Sequence, residues 1–92
     1  MGAPSMQAGR DDALRRLSYI EGHLAGIRKM IQEDRYCVDV IKQTHAVRRA
    51  IEKLEHVLLE GHLQHCVPAG IKGDREHEVI SELLDLYTLS QK

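Results

Sequence analysis

Two cysteines and six histidines supply the side chains of this 92-residue chain best suited to chemistry. His62 and Cys66 are four residues apart, so on a helix they project from one face, one turn apart, a spacing that suits two ligands on one metal ion. Cys37 lies 25 residues before His62 and 29 before Cys66. At about 100° per residue both offsets return to within about 20° of the Cys37 direction, so all three share one stripe. Along an unbroken helix, however, Cys37 and His62 stand roughly 37 Å apart and cannot hold one ion within a chain. An antiparallel pair of the same helices, related by a two-fold axis, brings Cys37 of one chain to His62 and Cys66 of the other and creates two identical sites. The same register sets Arg48 near Glu55 of the second chain, where opposite charges can pair.

Two thiolates and one imidazole form a soft, low-coordinate set that suits Cu(I). Zinc accepts the same ligands but favours a fourth, which His65 or water would supply. An octahedral nickel or cobalt site needs more nitrogen or oxygen donors, and the chain before Gly22 contains no histidine. His23 and His45 fall away from the stripe, and His56 and His77 read as solvated. His65 is left open because it adjoins Cys66.

The elements that must position these groups are helices. Apolar residues recur at Leu14, Leu17, Ile20, Leu24, Ile27 and Ile31 with helical spacing, following Asp11 or Asp12 as a candidate N-cap. Gly22 and Gly26 weaken this helix and would permit close packing. After the polar stretch Gln32–Arg35, with Asp34 a candidate cap, no Gly or Pro occurs between Tyr36 and Glu60. One stripe there reads Cys37, Ile41, Thr44, Arg48, Ile51, Glu55, Leu58, His62, and Val40, Val47, Leu54 and Leu59 broaden its apolar side. The spacing predicts a helix of about 28 residues, roughly 42 Å long. Val67-Pro68-Ala69-Gly70-Ile71-Lys72-Gly73 is expected to break it. Asp74 would then cap a third helix carrying Val79, Ile80, Leu83, Leu84 and Tyr87 on one side. Residues 1–10 read as a flexible tail and 11–92 as a single helical domain.

Composition agrees with this architecture. The chain has no Trp, no Phe and three Tyr, so its core must be aliphatic, which suits packed helices. A chain this short buries a modest core, and oligomerisation is expected. No strand-like alternation, repeat, phosphate-binding glycine loop or catalytic triad pattern appears, and an enzyme is not expected. No apolar run approaches the roughly 18 residues that span a membrane, and the opening MGAPSMQAGRDD lacks an apolar signal core. A cytosolic setting follows, in which two cysteines point to metal or redox chemistry rather than a structural disulfide. Net charge is −1, yet residues 1–53 carry ten Lys/Arg and seven Asp/Glu, whereas residues 54–92 carry three and seven. The pairs Arg15-Arg16, Arg28-Lys29 and Arg48-Arg49 lie in the basic part and can form a footprint for nucleic acid.

Four segments together resemble the copper-sensitive operon repressor (CsoR) family. They are Arg15-Arg16-Leu17-Ser18-Tyr19-Ile20-Glu21-Gly22, Asp34-Arg35-Tyr36-Cys37-Val38-Asp39-Val40-Ile41, Ala46-Val47-Arg48-Arg49-Ala50 and Gly61-His62-Leu63-Gln64-His65-Cys66. The resemblance runs from about residue 12 to residue 88. It follows the copper pattern: nickel and cobalt sensors use a further histidine near the N-terminus, where this chain has Ser5. Formaldehyde sensors generally lack the last cysteine, and persulfide sensors generally lack the histidine.

The resemblance implies an all-α, three-helix protomer, an antiparallel dimer forming a helical bundle, and a dimer of dimers. It implies Cu(I) held by Cys37 of one protomer with His62 and Cys66 of another, and Tyr36 and Glu82 around those ligands, Glu82 accepting the other ring hydrogen of His62. DNA contacts carry over to Arg16, and also to Arg15, Arg49 and Lys53. His23 departs from the family's usual Gln and leaves a role in DNA binding or packing open. The function implied is a repressor that holds operator DNA without metal and releases it when Cu(I) binds, freeing copper-resistance genes. The rivals are a thiol sensor joining Cys37 to Cys66 between chains, which leaves His62 no task, a copper-buffering protein that does not bind DNA, and a purely structural bundle.

Overall fold

A computed structural model describes residues 7–91, entirely helices and turns. Helix α1 spans Gln7–Gln32 and α2 spans Cys37–Gly61. A π-helical turn, His62–Cys66, follows without a break and runs into α3, Val67–Lys72. Helix α4 spans Glu76–Ser90. The all-α class and the three-rod plan stand, the middle rod being α2, the π turn and α3 in sequence.

The short connection after α1 makes α1 and α2 an antiparallel hairpin. His23 bonds Gln43 across it at 2.7 Å, and a Cβ on Gly9 would lie 3.5 Å from Val57, so rising position on α1 meets falling position on α2. The seam is made by Ile20 and Ile27 against Val47, with Val40, Ala50 and Leu54 packed around them. These recur at sevens and threes, one line of a heptad pattern on each helix. The other lines are uncovered: Leu17, Leu24 and Ile31 on α1, and Ile41 and Ile51 on α2, are all exposed. Only Ile20, Ile27, Val47 and Val79 are buried apolar residues among those described. One protomer thus leaves half of its own apolar pattern in water.

Both interhelical turns end their helices in the same way. Asp34 and Asp74 have φ of 55° and 61°, the left-handed conformation. The N–H of Arg35 bonds Met30 C=O at 3.0 Å and that of Asp34 bonds Ile31 C=O at 3.2 Å. Arg75 to Gly70 (2.8 Å) and Asp74 to Ile71 (3.2 Å) repeat the pattern. These are Schellman closures, which satisfy the last carbonyls of a helix. Asp34 and Asp74 therefore terminate the preceding helices instead of capping the following ones, as their composition suggested. Tyr36 and Arg75 take the N-cap positions, neither with a side-chain cap bond. Arg75 instead grips Glu78 (Nε–Oε2 3.1 Å), and this hydrogen bond, with the positive charge, holds the Glu78 carboxyl below its ordinary range.

Other boundaries also differ from expectation. Residues 7–10, expected in a tail over 1–10, are helical, because Gln, Ala and Arg favour helix and Gly9 packs by Val57; the first six residues lie outside the described ones. Asp11 and Asp12 are consequently inside α1, not caps. The break expected at Val67–Gly73 comes only after Lys72. Proline costs a helix by its missing N–H and by its ring's clash with the carbonyl four residues back. Here the preceding turn is widened, Val67 N–H reaching His62 C=O, and Pro68 enters in the first turn of α3, where a proline is tolerated. Gly22 and Gly26 approach nothing in the protomer: a Cβ on either would find open space.

Candidate metal centre and basic groove

Cys37 is the first residue of α2 and is exposed, next to an exposed Tyr36. His62 and Cys66 begin and end the π turn at the other end of the rod, both partly buried. With the whole of α2 between them, Cys37 and His62 are about 37 Å apart by helical rise. No group of three or more His, Cys, Asp or Glu suited to a metal occurs among the described residues. One chain therefore brings two of the three expected ligands together and leaves Cys37 at the far end. The ligand stripe also faces away from the protomer's own core. Cys37, Ile41, Thr44, Arg48, Ile51 and Glu55 are exposed, and burial begins at Leu58 and His62. By helical phase the stripe lies about a quarter turn from the Val40–Val47–Leu54 seam.

Around His62 the structure prepares a ligand. Its Nε2 is buried and has no hydrogen-bond partner, a state that costs about 1–3 kcal/mol unless something satisfies it. The imidazole lines a groove of about 330 Å³ with Glu82, Asp85, Leu86 and Leu89 of α4. Glu82 and His62 line the same groove, with no hydrogen bond between them, and Asp85 is a second carboxylate there that the sequence reading did not single out. Its signal was spacing: Asp85 follows Glu82 by three, on the same helical face. His65 Nε2 is likewise buried and unpartnered. A soft pair of thiols with an imidazole whose buried nitrogen lacks a partner fits a thiophilic metal such as Cu(I).

The remaining histidines sit apart from the stripe. His23 bonds Gln43 and meets Tyr19 edge-to-face, with ring centroids 5.9 Å apart, so it joins α1 to α2. His56 and His77 are exposed.

A second feature occupies the opposite flank of the hairpin. Arg15 and Arg16 of α1 and Arg49 and Lys53 of α2 line one open groove of about 740 Å³. Lys42 adds a fifth cation, Tyr19 and His45 contribute polar rings, and Asp12 is the one acid in the lining. Lys42 and His45 were missed as groove residues although Lys42, His45, Arg49 and Lys53 follow each other at three, four and four. Around α2 the groove is roughly 150° from the ligand stripe. The hairpin therefore has an apolar, ligand-bearing flank and a basic one.

A family model of metal-sensitive transcriptional repressors matches residues 9–88. The chain belongs to this family. A copper-sensing transcriptional repressor CsoR of Bacillus subtilis (strain 168) is 44% identical over 78 residues, 85% of this chain and 77% of that protein. The CsoR of Mycobacterium tuberculosis (strain H37Rv) is 39% identical over 80 residues, 87% of this chain and 67% of the relative. The crystal structure of the copper-sensing repressor CsoR with Cu(I) from Geobacillus thermodenitrificans NG80-2 superposes with a TM-score of 0.84 at 30% identity, covering all of this chain and 95% of that one. The metal-sensitive repressors are regulators, not enzymes, and repression of transcription makes DNA their partner. No helix among the described residues is long and apolar enough to cross a membrane.

Proposed function

We propose that this protein is a Cu(I)-responsive repressor whose metal site is completed only between two chains. The observation that carries this reading is the placement of the ligands. Cys37 opens the uncovered face of α2, His62 and Cys66 close it, and a two-fold antiparallel pairing of that face sets Cys37 of one chain against His62 and Cys66 of the other. The uncovered apolar lines Leu17, Leu24, Ile31, Ile41 and Ile51 supply the interface. Arg48 and Glu55, seven residues apart on the same exposed stripe, would face each other across it. A dimer of dimers is the working form that the family resemblance suggests, in the cytoplasm.

Without metal, Arg15, Arg16, Arg49 and Lys53 neutralise operator phosphates. Cys37 of one protomer with His62 and Cys66 of another would hold Cu(I), whose bonds would tie the two protomers together. His62 then presents its outer ring nitrogen to Glu82, with Tyr36 of the opposing chain closing the site. Because α4 carries Glu82, this contact fixes α4 against the π turn and favours a protomer arrangement that fits the duplex poorly. Linkage demands the reciprocal: DNA weakens Cu(I) binding by the same factor, typically worth about 1–3 kcal/mol.

Anaerobic Cu(I) titration of the DNA-bound protein, followed by fluorescence anisotropy with a competing chelator, tests this. Release at one Cu(I) per protomer is expected, and it should vanish in Cys37→Ala. Copper uptake with the DNA still bound would overturn the coupling, and protein that binds Cu(I) but no duplex would favour copper buffering.

A further inference from the structure

The basic groove contains a single carboxylate, and it is engaged. Asp12 Oδ1 accepts from Arg15 Nη2 at 2.6 Å and Oδ2 accepts from Arg16 Nε at 3.2 Å. One oxygen goes to each arginine. A phosphodiester offers the same arrangement, two anionic oxygens matched to guanidinium N–H groups. We propose that Asp12 is a built-in counter-anion of the DNA-binding groove, occupying the two arginines in the free protein and giving way to a backbone phosphate when duplex binds. The inference rests on the DNA-binding reading given above.

Three observations support it. The pair is open to solvent: the Arg15 side chain is 76% exposed, Arg16 40% and Asp12 35%. Exposed ion pairs of this kind are weak, so a phosphate can replace the carboxylate. Asp12 lies one turn ahead of both arginines on α1, so rotation about its own side chain removes it without moving the helix. Finally, Lys42, Arg49 and Lys53 line the facing wall of the groove. A phosphate entering there is attracted by five cations and repelled by one acid, and Asp12 alone lowers the attraction. The consequence is a duplex affinity held below what the cations could deliver, which keeps the complex within reach of a modest metal-driven coupling.

The test is Asp12→Asn in the metal-free protein, with a fluorescein-labelled duplex of mixed sequence followed by anisotropy between about 50 and 200 mM salt. The substitution keeps size and helix while removing one unit of negative charge. Affinity should rise about fivefold, the worth of one unit charge at ~4 Å in water. The slope of log K against log salt should steepen by up to about 0.9, because the displaced carboxylate of the wild type takes up a cation on release, offsetting one released from the duplex, and asparagine does not. In an Arg15→Gln, Arg16→Gln background the Asp12→Asn gain should disappear. Unchanged or weaker binding by Asp12→Asn would show that the carboxylate serves only to orient the arginines and would overturn the proposal. An equal gain in the double-glutamine background would overturn it too, as a general charge effect. Wild-type protein with no affinity for duplex at low salt would remove the DNA reading itself, an outcome distinct from clear binding that Asp12→Asn fails to improve.

Discussion

Gly70→Ala is the substitution whose consequence the structure specifies most closely. Gly70 is buried in α3, and a Cβ built there collides with Cγ2 of Val79. Val79 is 3% exposed, and its branched side chain has little rotameric freedom in a helix. Relief requires α4 to retreat by on the order of an ångström, because ordinary carbon contacts begin near 3.5 Å. Overpacking of this size costs about 1–3 kcal/mol, whereas alanine in place of glycine returns about 1 kcal/mol of helix propensity. The net is a destabilisation of about 1 kcal/mol, equivalent to a drop of roughly 4–8 °C in Tm for a domain this small. Since α4 touches the rest of the chain through α3, the same displacement shifts Glu82 out of its present position in the groove that it lines with His62. Gly70→Ala should therefore keep Cu(I) binding through Cys37, His62 and Cys66 while weakening the release of DNA. Thermal unfolding at one fixed protein concentration reads the first effect, and Cu(I) titration of the DNA complex reads the second. A Tm equal to or above that of the wild type would refute the packing argued for the α3–α4 corner.

Other substitutions carry opposite signs. Gly22→Ala and Gly26→Ala, with open space around each Cβ and on the helix side opposite Leu17 and Leu24, should each raise stability by about 0.5–1 kcal/mol in denaturant unfolding; a loss would reveal a covering chain on that face. Asp34→Gly and Asp74→Gly relieve a left-handed aspartate and should each add about 0.5 kcal/mol after the greater entropy of unfolded glycine is counted. Lower stability in both would contradict the helix closures described. His62→Ala should leave Cu(I) binding by the two thiolates largely in place but reduce the effect of copper on DNA; normal release by that variant would remove His62 from the coupling.

Much of this arrangement is legible in the sequence because heptad spacing survives any tertiary context. The stripe from Cys37 to His62 and the seam residues Ile20, Ile27 and Val47 can be located by counting. Which apolar line meets α1 and which stays uncovered cannot be counted. Val40 and Ile41 are adjacent and similarly apolar, and only the packing of the hairpin half-buries one and exposes the other. Pro68 misleads for a different reason. The rule that proline breaks a helix holds for i→i−4 turns, and the π turn upstream of it changes that geometry. Asp34 and Asp74 mislead because aspartate suits both the start of a helix and, less often, the left-handed residue that ends one. Lys42 escaped notice as part of the basic groove because charged residues on a helix usually face solvent without a partner. Its alignment with Arg15 and Arg16 exists only across α1 and α2.

The most direct test of a site shared between chains is complementation. Cys37→Ser and Cys66→Ser variants, each lacking one thiolate, should bind Cu(I) poorly alone. Unfolded together and refolded as a mixture, they can form a mixed dimer in which Cys37 of one chain meets His62 and Cys66 of the other. One high-affinity Cu(I) site per mixed dimer, measured anaerobically against a competing chelator, is the predicted result. A mixture that binds no more tightly than its two parents would contradict the interchain site.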